Sequence, residues 1–377
     1  MRILLVGDYP DDPRLGSAKV YHKLGEALRG LGHTCDVLLA PALGPRPAGM
    51  RVRWLLGPVL AERAVRRAFR ERGAYDVVDV ASAEGFALCA ARAAGAYRGV
   101  ALVSRSHGLE HLNYRRMLDD ARAGFAPKPW HRRIWYPAAR LSQVAGAARL
   151  ADRLVVLNEE DRRFALERGW KRADAVVVVP HGVSARWLDD APAPDAPRGG
   201  GILFCGTWTD MKGVRYLAEA FARLRAGGGG ARLTVLGPGV PDAEVLAAFP
   251  EGARAAVTVL PRSDEEGVMR AFRAHDLLAH PSTYEGFGLV IPEAMSQGLP
   301  VVATPQGCAP SLVRDGETGA LVPARDAAAL AGALARLLAD APLRRAMGER
   351  ARAAVRPLSW EHAARRTLEV YQGAAGA

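Results

Sequence analysis

Two glutamates, Glu285 and Glu293, stand with seven residues between them on either side of a glycine turn. A carboxylate accepts two hydrogen bonds at once, so vicinal hydroxyls, as on a sugar or a ribose, suit it better than a lone phosphate. Between them, Gly286-Phe287-Gly288-Leu289 leads into a helix with Pro292 in its first turn, where a missing N–H costs nothing. Unpaired N–H groups at such a helix start favour an anion. Lys212-Gly213 opens another helix beneath a strand end, where a compact ammonium can neutralise phosphate charge. Lys212 is one of five lysines beside 46 arginines. His107, followed by Gly108, ends a short apolar strand, where open α/β sheets place their ligands. Together these residues suit an anion site next to hydroxyl groups such as a sugar's. Each also has a plain structural reading: Glu293 as a helix cap, Glu285 and Lys212 as solvated surface, His107 as structural.

The elements that position them alternate strand and helix, which predicts parallel, doubly wound sheets. In the first half, strands are expected at Arg2–Val6, Cys35–Leu39, Tyr75–Val80, Val100–Ser104, Ala151–Leu157 and Val176–Val179. The loop Gly7–Gly16 leads into a helix over 17–31 with Ser17 as its N-cap. Residues 40–58, rich in Pro and Gly, read as loop before a basic helix over 59–72. The run 189–200, DDAPAPDAPRGG, reads as a linker. A second β-α series follows it, through Gly206-Thr207 and Lys212 to the strand Leu277–Ala279, the helix that stops at Gly298, and the strand Val301–Thr304. The expected domains are 1–188, the linker 189–200, 201–358, and a final segment 359–377.

EGFGLVIPE at 285–293 resembles the E-x7-E motif of the retaining family-4 glycosyltransferases, and the similarity is most specific from Gly206 to Pro323. The resemblance implies the GT-B fold, two Rossmann-like domains facing across a cleft. It further implies a nucleoside-diphosphate sugar as donor and transfer to an acceptor hydroxyl without a metal or other cofactor. In those terms Glu293 binds the ribose hydroxyls and Glu285 lies by the sugar or phosphates. The amides of Gly288 and Leu289 and Lys212 meet the diphosphate, Gly16 faces the donor phosphates, Gly206, Gly286 and Phe287 also bind the donor, and His107 meets the transferred sugar. The final helix, from Trp360, resembles one that crosses back to the N-terminal domain. The chain departs from the family at Thr207, where an Arg usually follows the first Gly, and at Leu15-Gly16, where two glycines are common. An epimerase or phosphorylase on the same fold, or a non-catalytic partner subunit, stays open.

Composition bounds these readings. At 377 residues the chain suits two domains with their own cores. Cys35, Cys89, Cys205 and Cys308 are scattered and read as core thiols in a reducing compartment. The nine histidines form no ligand cluster, there is no D-x-D triplet, and the first residues, MRILLVG, read as a strand rather than a secretory signal. These features lead to the expectation of a cytoplasmic protein. Residues 1–190 carry 31 Lys and Arg against 21 Asp and Glu, whereas residues 191–377 carry 20 against 19. A basic N-terminal half suits an anionic partner or an acidic membrane surface at the inner face, or it records an arginine-rich coding bias. Trp130, Arg132, Arg133, Trp135 and Arg140 form an aromatic and basic stretch that could lie at such an interface, although Pro129 and Pro137 argue against one continuous helix. No nucleic-acid module is present.

Overall fold

The computed structural model describes the backbone of residues 1–377 except 14, 46–47, 126–129, 191, 194–195, 229 and 376–377; the side chains of Trp130 and His131 are also outside the description. The chain forms two compact units, Met1–Gly182 with Trp360–Ala377, and Val183–Ser359. The run 189–200 lies in the second unit.

The first unit holds β1 (Arg2–Val6), β2 (Thr34–Leu38), β3 (Val77–Ala81), β4 (Ala101–Arg105), β5 (Arg153–Val156) and β6 (Val176–Val178), all parallel, in the order β2-β1-β3-β4-β5-β6. The second holds β7 (Ile202–Cys205), β8 (Leu233–Leu236), β9 (Val257–Leu260), β10 (Leu277–His280), β11 (Val301–Ala303) and β12 (Gly319–Leu321), in the order β12-β11-β10-β7-β8-β9 and again parallel. Central strands such as VVDVA and LLAH are buried along their whole length, because helices cover both faces of a parallel sheet. These are the GT-B sheets that the resemblance implied.

Two local expectations fail. The helix expected to begin at 59 runs from Met50 to Arg72, with Pro58 inside it, and a short helix spans Ala40–Leu43. Gly57 and Pro58 are buried on the same helix as Ala61, Ala64, Val65 and Ala68, so packing outweighs the hydrogen bond that proline removes. Ser17 is not an N-cap. The helix is Gly16–Gly30, its N-cap position is Leu15, and no side chain caps it.

The last helix, Trp360–Ala375, packs in the first unit through a buried polar knot. Arg105 Nε and Nη2 donate to Asp79 Oδ2 at 2.8 and 2.6 Å, and the Tyr371 hydroxyl donates to the same oxygen at 2.6 Å. Asp79 and Arg105 are only 1% and 2% exposed. A buried ion pair is expensive to break from one side, because the remaining charge is left in low dielectric. Arg105→Met is therefore expected to cost about 3–5 kcal/mol, read as faster hydrogen exchange of β3 and β4 amides and a lower urea midpoint. Wild-type protection in those strands would show that the knot does not hold the unit.

Candidate functional site

In the second unit the site grows from the carboxyl ends of β7 and β10. Beyond β7 a 3-10 turn, Asp210–Lys212, precedes Gly213 and the helix Val214–Ala226. Beyond β10 the loop 281–285 is stitched to that turn. Thr283 N donates to Met211 O at 2.8 Å, and the Thr283 hydroxyl donates to the carbonyls of Asp210 and Met211 at 3.3 Å. The stitching brings Lys212 Nζ onto Glu285 Oε2 as a hydrogen-bonded ion pair whose side chains are 17% and 11% exposed. His280 Nε2 lies 3.2 Å from the same oxygen and 3.2 Å from Ser282 Oγ, which lies 3.5 Å from Oε2. Burial alone would raise the Glu285 carboxyl, but Lys212 and His280 outweigh it and hold the carboxyl well below the usual carboxylate range. Burial also lowers His280, so its ring is neutral near pH 7 and acts as a hydrogen-bonding group beside a fixed carboxylate.

The turn after Glu285 keeps donors unused. The N–H groups of Gly288 and Leu289 bond to no group among the described residues. Leu289 is the N-cap position of the helix Val290–Ser296, and Glu293, 7% exposed, sits in its first turn. Phe287 is buried and its carbonyl accepts from Cys308 N at 2.8 Å. Gly206 follows β7 directly, with its N–H on Leu236 O at 3.0 Å.

In the first unit His107 follows β4. Its Nε2 lies 3.0 Å from the Tyr21 hydroxyl, whose own proton goes to Val6 O at 3.3 Å. Tyr21 is thus the acceptor, which places the ring hydrogen on Nε2 and leaves Nδ1 as acceptor. Tyr9 meets the ring edge-on at 5.5 Å and His181 stacks on it at 5.7 Å. Burial, with Arg105 behind it, lowers His107 to about 3, so it is neutral at physiological pH. Gly16 is the first residue of the helix that carries Tyr21.

Lys212 and Glu285 are therefore brought into direct contact, with Gly286 to Leu289 and Glu293 on the same turn and helix, while Gly16 and His107 are tied through Tyr21 in the other unit. His280, Ser282, Tyr21 and Tyr9 escaped the sequence reading; the one available signal was that His280 closes the strand next to Glu285. Arg140 does not belong to an interfacial stretch. It is 12% exposed and bridges Glu84 and Glu110 at 2.8 Å each, and the Tyr136 hydroxyl donates to Glu110 at 2.9 Å. One buried and one half-buried carboxylate, Glu84 and Glu110, claim this cation, which no spacing in the sequence reveals. The helix Trp130–Tyr136 passes through a π-helical turn at Pro137–Leu141 into Ser142–Leu150. Of the two prolines expected to interrupt the helix, Pro137 only widens one turn, and Pro129 lies outside the described residues.

Residues 16–187 match the family described as Glycosyltransferase Family 4, and residues 199–340 match Glycosyl transferases group 1. The chain is 36% identical over 242 residues to a D-inositol 3-phosphate glycosyltransferase of Nocardia farcinica, covering 59% of this chain and 53% of that protein. It is 32% identical over 249 residues to a phosphatidyl-myo-inositol mannosyltransferase of Mycobacterium leprae, covering 65% and 61%. The matched region thus spans little more than half the length of these curated relatives. Among solved structures, sucrose-phosphate synthase from Thermosynechococcus elongatus superposes with a TM-score of 0.81 at 24% identity over 99% of this chain and 98% of that one. HepE of Anabaena, in complex with UDP and glucose, superposes with a TM-score of 0.71 at 19% identity over 99% and 100%.

The placement of Glu285 depends on a glycine across from it. A Cβ on Gly307, at φ +60°, would stand 2.6 Å from Phe287 O and 2.9 Å from Glu285 Cγ, whereas one on Gly316, at φ +75°, meets nothing within 4 Å. Gly316→Ala is expected to cost about 1–3 kcal/mol in backbone strain alone. Gly307→Ala should cost about 1–3 kcal/mol beyond that from overpacking, seen as a larger drop in thermal midpoint. Equal midpoints for the two variants would refute the close fit around Glu285.

Proposed function

We propose that this chain, which belongs to the family-4, group 1 glycosyltransferases, moves a sugar from a nucleoside diphosphate to an acceptor hydroxyl with retention of anomeric configuration. The observation that carries the reading is the Lys212–Glu285–His280 group beside the unused amides of Gly288 and Leu289. Lys212 donates one hydrogen to Glu285 and has two left, and these with the two amides meet the diphosphate. Negative charge grows on that group as the glycosidic bond breaks, so donors already aimed at it favour the transition state over the ground state. Glu285 is held ionised and accepts a hydroxyl of the transferred sugar, and Glu293 accepts the ribose hydroxyls. Neutral His107, its ring fixed by Tyr21, faces the transferred sugar in this scheme. The nucleotide sugar enters as co-substrate, and the proposal assigns no resident cofactor. The names of the relatives and of the HepE complex support a nucleotide-sugar donor; the acceptor is left as a hydroxyl compound.

A carboxylate furnished with three donors favours a working site over a degenerate partner subunit. An epimerase or phosphorylase would differ in needing no acceptor, or in needing inorganic phosphate. Transfer is tested by incubating the chain with a panel of nucleotide sugars and acceptors and weighing the products. Glu293→Ala should weaken nucleotide-sugar binding about tenfold to a hundredfold, the worth of a good charged hydrogen bond; an unchanged dissociation constant in the folded variant would contradict the ribose assignment.

The proposal extends to where the first unit works. No helix among the described residues is long and apolar enough to cross a membrane. The helix Met50–Arg72 nevertheless exposes Val52, Leu55, Leu56 and Val59, spaced as one helical face, while its opposite face is buried. Trp54 on this helix stacks on Trp135 at 6.0 Å, and the neighbouring Ile134 is 65% exposed. Arg51 and Arg133 stand exposed beside these apolar residues. An apolar ridge flanked by arginines fits the boundary of an acidic bilayer. Leu55→Glu with Leu56→Glu should abolish sedimentation with acidic vesicles, since each buried leucine contributes about 1.5–3 kcal/mol. Arg133→Glu should weaken it by about 1 kcal/mol in a salt-dependent manner. Wild-type protein that stays in the supernatant with acidic vesicles would end this part of the proposal.

A further inference from the structure

The first sheet reverses its winding between β1 and β3, and the loops beyond β1, β3 and β4 leave its carboxyl edge side by side. An open α/β sheet holds its ligand at such a reversal. The loop after β1 brings Asp8 and Tyr9, the turn Ser82–Glu84 after β3 brings Glu84, and the segment after β4 brings His107 and Glu110. Tyr9, edge-on to His107, is the meeting point. Burial first, then Glu84 and Glu110, push its hydroxyl far above the ordinary value; Asp8 adds to them, and Arg140 alone works against them. Asp8 is matched by Arg53 at 3.1 Å. That leaves two carboxylates, Glu84 and Glu110, against one guanidinium, Arg140.

Arg140 has almost nothing left to give. Its Nε donates to both Glu110 oxygens at 3.0 Å, its Nη1 to Glu84 Oε1 at 2.8 Å, and its Nη2 lies 2.8 Å from Glu110 Oε1 and 3.4 Å from Glu84 Oε2. Burial raises the Glu84 carboxyl against the pull of Arg140, which marks a carboxylate short of positive charge. Arg105, behind His107, is spent on Asp79, and His107 itself is neutral. Residues 1–190 carry ten more basic than acidic residues, counted as 31 against 21, yet the charges around Tyr9 run the other way. Near neighbours decide, because exposed charges farther off are screened. A phosphate at this edge would meet a surplus carboxylate and a guanidinium already bound on both sides. A hydroxyl would meet oxygens with lone pairs to spare.

We propose that the acceptor hydroxyl belongs to an uncharged polyol or sugar with no phosphate or carboxylate beside it, and that Glu84 and Glu110 enforce this choice by claiming Arg140. The assignment rests on the transferase reading above and names its acceptor class. The test pairs neutral acceptors with their phosphate esters: inositol with inositol 3-phosphate, glucose with glucose 6-phosphate, glycerol with glycerol 3-phosphate. Each is incubated with the nucleotide sugar that the chain hydrolyses fastest, and kcat/KM is read from product masses. The neutral member of a pair should be preferred about a hundredfold, since like charges set together are strongly disfavoured. Glu110→Gln, its fold checked by circular dichroism, should narrow that preference about tenfold, chiefly through a lower KM for the ester, because the freed guanidinium can turn to the phosphate. A variant that slows both members alike would make Glu110 a packing residue and overturn the specificity role. A wild-type chain that prefers the phosphate esters would overturn the proposal outright, as would donor hydrolysis with transfer to none of the neutral acceptors. If no nucleotide sugar is turned over at all, the transferase reading itself fails and the acceptor class falls with it.

Discussion

The second unit is arranged around one ion pair, Lys212 with Glu285. Neither residue could hold its position alone. Lys212 ends a single 3-10 turn, and Glu285 lies in a loop with no regular structure. What fixes them is the contact between the two loops. Met211 and Asp210 accept from Thr283, and Gly213 packs so tightly on Pro281 that a Cβ would overlap the Pro281 carbonyl at 1.9 Å. Parallel strands β7 and β10 are neighbours in the sheet, so both loops leave the same edge of it side by side. The ion pair is therefore a product of sheet order, and the charges meet only if the strands do.

The first unit solves the opposite problem. It must keep a histidine neutral beyond β4 while burying a full ion pair between that same strand and β3. Arg105 closes β4, and Asp79 sits inside β3 in a run of valines. Their mutual pairing, capped by Tyr371, cancels charge that would otherwise lie close to His107. The loss of water, and after it the residual positive field of Arg105, still favour the uncharged ring. Because Tyr371 belongs to the last helix, a residue nearly three hundred positions beyond Asp79 contributes to the surroundings of the first sheet.

Most of the framework was legible in the sequence for a simple reason. Strands buried on both faces, such as VVDVA, ALVSR and LLAH, are short mainly apolar runs, and such runs mark the centres of both sheets. The turn Glu285–Leu289 and Lys212-Gly213 were legible because glycine, proline and a charged residue at a helix entrance leave few other conformations. Three features were not. Helix 50–58 was hidden because proline and glycine signal a break locally, and only burial of Gly57 and Pro58 against the unit overrides it. Arg140 looked like a surface residue because its partners, Glu84 and Glu110, are far away in sequence. His280 was hidden because a histidine ending an apolar strand is usually core, and its meaning comes from the loop that returns to it.

Charge balance decides what a diphosphate would meet in the second unit. Lys212 carries one positive charge, and Glu285 cancels it across a hydrogen bond. A diphosphate arriving with about two negative charges therefore finds no net charge at the pair, only polarised N–H groups. The helix Val290–Ser296 is seven residues long, so its dipole adds less than a longer helix would. The unused amides of Gly288 and Leu289 supply direction but no full charge. A site built only from these parts would hold an anion by the direction of its N–H groups rather than by net charge.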